Sequence, residues 1–478
     1  VSDIRCPLYE AALISRHEPA IVSGSHTMLY HELDEYAGRV ARNAADAGVQ
    51  AGDRVALFLP SGWQYVAIFF GLLRIGAVAC PLNTRLPRAA VLEYVRAIRC
   101  RHVVAKVAAG GRGDLEGVRV LDPDDLGIYR SELESPPEWR LSMEAPATIL
   151  FTSGSGGHPK AVQHRYAHHY YSARGANQNI RLVSHDAWLL ALPLYHVGGL
   201  SIVFRTLLAG ATLAIPEGDE SIEQAQERYG VTHLSLVSTQ LIRLLQSANL
   251  PPTFGSLKAI VLGGSAIAPA HLAEAIRRTW PVYPSYGLTE MASQVATVQP
   301  SSPPAKRMTS GRVLHHRELR IGAGGEIQVR GATRFDGYVR PDGLETPFDA
   351  EGWFSTGDVG ALDAEGYLTV QGRRDNLFIS GGENIQPEEI ERLLGSLPEV
   401  AEAIVVPVAH AEFGERPVAY VRWNGQPLSL AAVRERLAQV LPKYKLPDAV
   451  RPWPEDAGAL KVNRAELKRR AREEPSHA

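Results

Sequence analysis

The sequence predicts an α/β protein in two parts: a large N-terminal domain of layered helices and strands, and a small α+β C-terminal domain. Three observations lead there. At 478 residues the chain is too long for one hydrophobic core. From Asp53 onward, short apolar runs alternate with amphipathic helical stretches, the pattern of α/β layering. After GRRD (Gly372–Asp375) the character changes to a compact helix-and-strand segment of domain size. The boundary is therefore placed near Asp375, with residues 1–374 before it and 375–478 after.

In chain order, DRVALFLP (Asp53–Pro60) reads as a strand. The apolar run Val66–Asn83 is interrupted by Arg74 and broken at Pro81; it is too short to span a bilayer and reads as a buried helix followed by a strand. Ser221 and Gln224 stand in capping-box spacing and start a helix over SIEQAQERYG. THLSLVS is then a strand, TQLIRLLQSA a helix and LKAIVLGG a strand. Pro269 is placed for the first turn of a helix over APAHLAEAIRR. GGEIQVRG and EGYLTVQG are strands bounded by glycine. In the last part, FISGGENI leads into the helix PEEIERLLG, the strands AEAIVVPV and PVAYVRW, and the helix SLAAVRERLAQVL. AAGGRGD (Ala108–Asp114) reads as an exposed connection, and SSPPAKRMTSG (Ser301–Gly311) as a mobile link between subdomains.

Composition excludes several functions. Hydrophobic residues make up 45% and charged residues 21% of the chain, as in an ordinary soluble protein. A formal charge of -2 gives no basis for a nucleic-acid or acidic-membrane partner. Cys6, Cys80 and Cys100 form no CxxC pair, which argues against a disulfide framework or structural zinc and fits a reducing cytoplasm. The first residues, VSDIRCPLYE, show no signal-peptide pattern, and no membrane insertion is expected. The oligomeric state, including a homo-oligomer, stays open.

Four motifs carry chemistry. The first is ILFTSGSGGHPKAVQH (Ile149–His164), a strand running into Thr152, Ser153, Gly154, Ser155, Gly156 and Gly157, then Lys160. Glycines let backbone N–H groups approach an anion, hydroxyls add donors and a lysine adds charge, yet such a turn is as often a plain loop. Pro159 before Lys160 excludes a Walker A loop. The second, PSYGLTEMAS (Pro284–Ser293), sets Thr289 and Glu290 beside the Tyr286–Gly287 turn; a carboxylate there suits a Mg²⁺–triphosphate, and the first turn of an N-capped helix suits the same residues. The third joins Asp358, at an expected strand–turn junction, to Arg373; an aspartate there can accept ribose hydroxyls or simply close a turn. The fourth is Lys461 in GALKVNRAEL, which by itself reads as solvated surface.

The order and spacing of these motifs resemble the adenylate-forming superfamily, which includes acyl-CoA synthetases, aryl-CoA ligases, peptide-synthetase adenylation domains and luciferases. The resemblance covers essentially the whole chain. It implies layered N-terminal subdomains, a mobile C-terminal lid, and ATP, Mg²⁺ and coenzyme A as co-substrates of a small-molecule carboxylic acid. It further implies that Thr152, Ser153, Gly154, Ser155, Gly157 and Lys160 hold phosphates, and that Gly263, Gly264 and Ser265 line the adenine, with Tyr286 and Gly287 beside the base. Thr289 and Glu290 would contact phosphate and Mg²⁺, Asp358 and Arg373 the ribose, and Lys461 the carboxylate and α-phosphate. Asp375 stands at the family's hinge position, and Gly381 and Gly382 of the SGGEN turn would leave room for the pantetheine arm. One departure is Gly156, where the family has threonine, so one hydroxyl donor is lost.

The acid is read from Leu190–Leu213, LALPLYHVGGLSIVFRTLLAGATL, expected to wall the acyl pocket. His196 resembles the family's gating histidine; on its own it reads as a hydrogen-bonded core residue. Arg205 either snorkels to the surface, the commoner outcome, or faces a second anion on the substrate. Ser293 and Gln294 are further polar candidates. These stretches, with YGLTEMASQV and DNLFISGGENIQPEEIE, are most similar to the menaquinone-pathway branch of the superfamily, the o-succinylbenzoate–CoA ligases, whose substrate is a dicarboxylate. A CoA ligase for another aryl or medium-chain acid is the alternative. A carrier-loading adenylation domain finds no carrier-like segment in these residues, and a non-catalytic homologue would not need Glu290, Asp358, Arg373 and Lys461 together. The i,i+4 spacing of His164 and His168, with His169, could bind metal, but a solvated helix face is the expected reading.

Overall fold

Two large sheets carry the N-terminal domain of the chain, described here from a computed structural model covering residues 3–86, 88–106, 117–128, 137–152, 159–247, 255–264, 267–380, 383–410, 413–454 and 464–473. One is nine-stranded, and its centre is the parallel run Ala187–Leu189, His233–Leu236, Ala259–Leu262 and Val282–Leu288. His233–Leu236 and Ala259–Leu262 are buried at every position, as expected of parallel strands covered on both faces. The other sheet is eight-stranded and pairs Arg54–Leu57 with Val78–Pro81, then Pro146–Thr152, Lys160–Arg165 and Gly337–Arg340.

Two helices, Trp63–Arg74 and Val197–Ala209, are apolar over most of their circumference and buried accordingly. They meet through Phe69, Phe70 and Phe204, with ring centroids 5.4–5.9 Å apart. These residues belong to one continuous core that also takes in Trp188 and Ile202. Arg205 therefore sits on a helix with almost no exposed face.

A four-stranded antiparallel sheet, Arg317–Ile321, Glu326–Gly331, Phe354–Leu362 and Leu368–Arg373, follows. From Phe378 on, a separate five-stranded sheet packs its own core, including Phe378, Ile390, Leu394, Val405, Ala419 and Val433. The helix Arg464–Glu473 lies against this sheet through Leu467 and Ala471, beside Val406 and Tyr420. The architecture is thus a large N-terminal and a small C-terminal domain. Among the described residues no helix is long and apolar enough to cross a membrane, and Cys6, Cys80 and Cys100 are buried free thiols.

Local signals are realised where they are strongest. Ser221 Oγ accepts from Gln224 N (3.2 Å) and Gln224 Oε1 from Ser221 N (2.9 Å), starting the helix Ile222–Tyr229. Pro269 opens the helix Pro269–Arg277. Three expectations are corrected. Ser301–Gly311 is tied down rather than mobile: Lys306 pairs with Asp363 (2.6 Å) and Glu365, and Ser310 N donates to Leu368 O (2.7 Å). Asp358 lies within the strand Phe354–Leu362, not at its end. Thr289 and Glu290 begin no capped helix; they form the short 3₁₀ turn Thr289–Met291 between two antiparallel strands. Ala108–Asp114 lies outside the described residues.

Candidate active site

The two strands that flank the glycine-rich loop pair antiparallel, with Lys160 opposite Thr152. Lys160 Nζ stands 4.8 Å from the centroid of the Tyr338 ring. The Tyr338 hydroxyl donates to Glu290 Oε1 at 2.8 Å. Burial, and then the charge of Glu290, hold the Tyr338 phenol in its protonated, donating form. Lys160, Tyr338 and Glu290 therefore make one cluster that sets a cation and a carboxylate on the two sides of one phenol.

The turn carrying Thr289 and Glu290 is tight for steric reasons. The strand bulges at Tyr286/Gly287, and a Cβ on Gly287 would collide with Ser293 O and lie 2.9 Å from Gln294 Cα. At the other end Ala292 (φ 52) and Ser293 (φ 125) adopt left-handed conformations that L side chains disfavour. Hydrogen bonds to the turn's carbonyls offset that cost. His164 Nε2 donates to Thr289 O (2.8 Å), Phe335 N to Glu290 O (2.8 Å), and Ser172 Oγ to Ala292 O (2.8 Å).

Asp358 and Arg373 are register partners on adjacent strands, and Arg373 Nη1 donates to Asp358 Oδ1 at 3.1 Å. The Tyr286 hydroxyl donates to Asp358 Oδ2 at 2.6 Å. Burial pushes the Asp358 carboxyl up, opposed by Tyr286 and Arg373. Gly263 and Gly264 follow the neighbouring strand, and Gly263 N donates to Leu236 O (3.1 Å). The Tyr286 hydroxyl thus ties the strand Val282–Leu288 to the strand that carries Asp358.

At the opposite end, His196 occupies the N-cap position of Val197–Ala209 and is exposed, not the core residue its apolar neighbours suggest. Gly199 lets the helix start pass against the Leu192 and Pro193 carbonyls, where a Cβ would collide. Arg205 is 2% exposed, so it does not snorkel. Its Nη2 donates to Gln294 Oε1, its Cζ lies 5.0 Å from the Trp188 ring centroid, and its Nε has no partner among the described residues. Burial pulls its pKa down to about 9, leaving it charged at neutral pH. The Gln294 amide donates onward to Thr297 Oγ1 (2.7 Å) and Ser285 Oγ (3.0 Å), and Ser293 Oγ donates to Ser201 Oγ (3.2 Å). Arg205, Ser293 and Gln294 therefore converge.

His164, His168 and His169 are buried, which overturns the expected solvated face. His168 Nδ1 accepts from Arg165 N (3.2 Å), His169 shares a hydrogen bond with Thr148 Oγ1 (2.8 Å), and the His169 ring stacks on Phe204 at 4.9 Å. Burial holds His164 down to about 4 and His168 to about 2, so the cluster is neutral. Among the described residues no three His, Cys, Asp or Glu side chains converge as a metal cage.

Asp375 lies in the exposed 3₁₀ turn Arg374–Asn376 between the two domains. The lid helix Pro387–Leu394 grips that turn: Asn376 Nδ2 donates to Glu388 Oε1 (2.5 Å), and the preceding Gln386 Nε2 donates to Arg373 O (2.8 Å). Ser153, Gly154, Ser155, Gly157, Ser265, Gly381, Gly382 and Lys461 lie outside the described residues. The chain is described again from Arg464, which pairs with Glu391 of the lid helix at 2.6 Å. Tyr338 serves the site without any motif to mark it, since no spacing rule links the strand Gly337–Arg340 to Glu290, and His164, the last residue of the first motif, serves it through a bond to Thr289 O that the motif does not announce.

The chain belongs to the AMP-binding enzyme family, whose model matches residues 8–339, with the family's C-terminal domain matching residues 389–457. Within it, the chain is 36% identical to the 2-succinylbenzoate–CoA ligase of Geobacillus kaustophilus, covering 97% of both chains. The o-succinylbenzoate CoA synthetase (MenE) of Bacillus subtilis in complex with the acyl-adenylate intermediate OSB-AMP is 32% identical, with a TM-score of 0.88 over 98% of this chain and 99% of that one. The same synthetase in complex with ATP and magnesium ion gives a TM-score of 0.87 at 32% identity over 98% and 100%.

Proposed function

We propose that the chain is an AMP-forming acid–CoA ligase that converts 2-succinylbenzoate to its CoA thioester for menaquinone synthesis. The observation that carries the substrate is Arg205, a buried cation with no carboxylate partner among the described residues, hydrogen-bonded to Gln294 beside the nucleotide site. A second carboxylate on the substrate would supply the missing anion. The succinyl carboxylate attacks the α-phosphorus of ATP and the bond to pyrophosphate breaks; a CoA thiolate then attacks the acyl carbonyl and AMP leaves.

Lys160 and the glycine-rich loop hold phosphate. Glu290, oriented by Tyr338, would hold Mg²⁺, which neutralises triphosphate charge when bound. Asp358 takes the ribose hydroxyls, kept in place by Tyr286 and Arg373. His196, exposed at a helix N-cap, would gate passage between the acid site and the thiol channel. Lys461 bridges carboxylate and α-phosphate in the first step, and the lid then turns about Asp375 to bring Gly381 and Gly382 toward the thiol. We place the reaction in the cytoplasm, where ATP and CoA are available.

Pyrophosphate release over a panel of acids tests this directly. Turnover of 2-succinylbenzoate should exceed that of benzoates and fatty acids. Arg205→Met should raise KM for 2-succinylbenzoate by one to two orders of magnitude, roughly the loss of one charge-assisted bond, with KM for ATP nearly unchanged. Efficient turnover of a monocarboxylate with none of 2-succinylbenzoate would refute the assignment.

A further inference from the structure

We propose that Arg317 is a second specificity-determining cation, standing behind Arg205 and favouring acids that carry a second carboxylate. The inference rests on the dicarboxylate reading above and assigns it a further residue. Four arginines are buried among the described residues: Arg74, Arg205, Arg317 and Arg416. Two are neutralised in the ordinary way, Arg74 by Asp34 and Arg416 by Asp448 at 2.8 Å. Arg205 and Arg317 have no carboxylate within 4.0 Å among the described residues; the Nε of each, like that of Arg74, lacks a hydrogen-bond partner there.

Both cations are tied to one helix, Tyr166–Asn179: Arg317 Nη2 donates to Ser172 O (3.0 Å), and Asn177 Nδ2 donates to Arg205 O (3.0 Å). Burial, followed by the charge of Arg205, pulls the Arg317 pKa down to about 9, still well charged at neutral pH. A fold that needed Arg317 only as a clamp would gain by pairing or removing the charge, because an isolated buried ion is costly. Its hydrogen bonds are all to neutral acceptors: His315 O (2.7 Å), Ser172 O (3.0 Å) and Ser172 Oγ (3.0 Å). Ser172 Oγ in turn donates to Ala292 O, immediately before Ser293 and Gln294. Arg317 is thus one side chain removed from the segment that holds Arg205. Its position suits long-range attraction of an anion and not direct contact, and in a buried site such attraction is weakly screened.

The test compares kcat/KM for 2-succinylbenzoate with that for 4-oxo-4-phenylbutanoate, the same acid without its ring carboxylate. In Arg317→Met the preference for the dicarboxylate should fall about tenfold, equivalent to about 1.4 kcal/mol. The change should lie mainly in KM, while the monocarboxylate changes far less. Arg317→Lys, which keeps the charge, should retain most of the preference. An equal fall for both acids would make Arg317 a structural clamp and overturn the proposal. Should Arg317→Met fail to fold, Arg205→Met decides: with Arg317 as the remaining cation, some preference for the dicarboxylate must survive, and its complete loss overturns the proposal. A wild-type enzyme with no preference between the two acids would instead sink the dicarboxylate reading itself.

Discussion

His164, His168 and His169 lie under the turn that carries Thr289 and Glu290, and their neutrality has a cost that pH reveals. In an unfolded chain a histidine titrates near 6.5, whereas burial holds His164 at about 4 and His168 at about 2. Between those values the unfolded chain binds protons that the native state refuses. Stability is therefore complete above about pH 6.5 and is lost as pH falls toward 4 and below. His168 is the useful probe because its Nδ1 accepts from Arg165 N at the start of the helix Tyr166–Asn179. Asparagine offers an acceptor in nearly the same place without the titration. His168→Asn should lose less stability between pH 7 and pH 5 than wild type, with a slope shallower by up to about 1.4 kcal/mol per pH unit. Urea midpoints across that range measure it; parallel slopes would show that His168 is not a source of the acid sensitivity.

The turn itself behaves as an element whose shape is set by packing and not by local propensity. Gly287 must pass against Ser293 O and Gln294 Cα, so Gly287→Ala forces the strands apart where Thr289, Glu290 and the Gln294 contact to Arg205 all originate. Overpacking of this kind costs about 1–3 kcal/mol. Pyrophosphate release should drop at least tenfold while the lid's own core stays folded, and wild-type adenylation in Gly287→Ala would show that the close approach is dispensable. What the sequence reveals divides along the same line. Ser221, Gln224 and Pro269 announce their helices because a capping box and a first-turn proline act within one turn of chain. Asp358 is misplaced at a strand end because its flanking glycines mimic turn chemistry, while its strand continues by pairing with Leu368–Arg373. The Pro/Ser-rich Ser301–Gly311 looks mobile because the partners of Lys306, Asp363 and Glu365, come from a distant hairpin. The motif residues Glu290, Asp358 and Arg373 are legible, whereas Tyr338, Arg317 and the bond from His164 to Thr289 are not, since each of those contacts is made only by tertiary folding.

At the scale of the whole molecule, the proposed reaction would have one small domain serve two steps at one site. The lid folds on its own core and is joined to the N-terminal domain through the exposed turn Arg374–Asn376, with Gln386 and Glu388 reaching back to Arg373 and Asn376. A joint made by polar side chains at an exposed turn can be remade at low cost, as alternating use of the site would require. Proline at Asp375 fixes φ near −65°, a value that a 3₁₀ turn already uses, so Asp375→Pro can keep this arrangement but resists a large backbone rotation. Lys461→Ala removes a charge and leaves the hinge free. The two variants should therefore fail in opposite halves of the reaction. Lys461→Ala should cripple adenylate formation by orders of magnitude yet largely spare thioester formation from supplied acyl-adenylate. Asp375→Pro should form adenylate and release pyrophosphate at near wild-type rates in a single turnover, then stall before the CoA thioester. Single-turnover measurement of pyrophosphate and acyl-CoA in both variants separates the steps. Equal loss of both steps in Lys461→Ala would remove that lysine from the first reaction, and normal thioester formation in Asp375→Pro would place the hinge elsewhere.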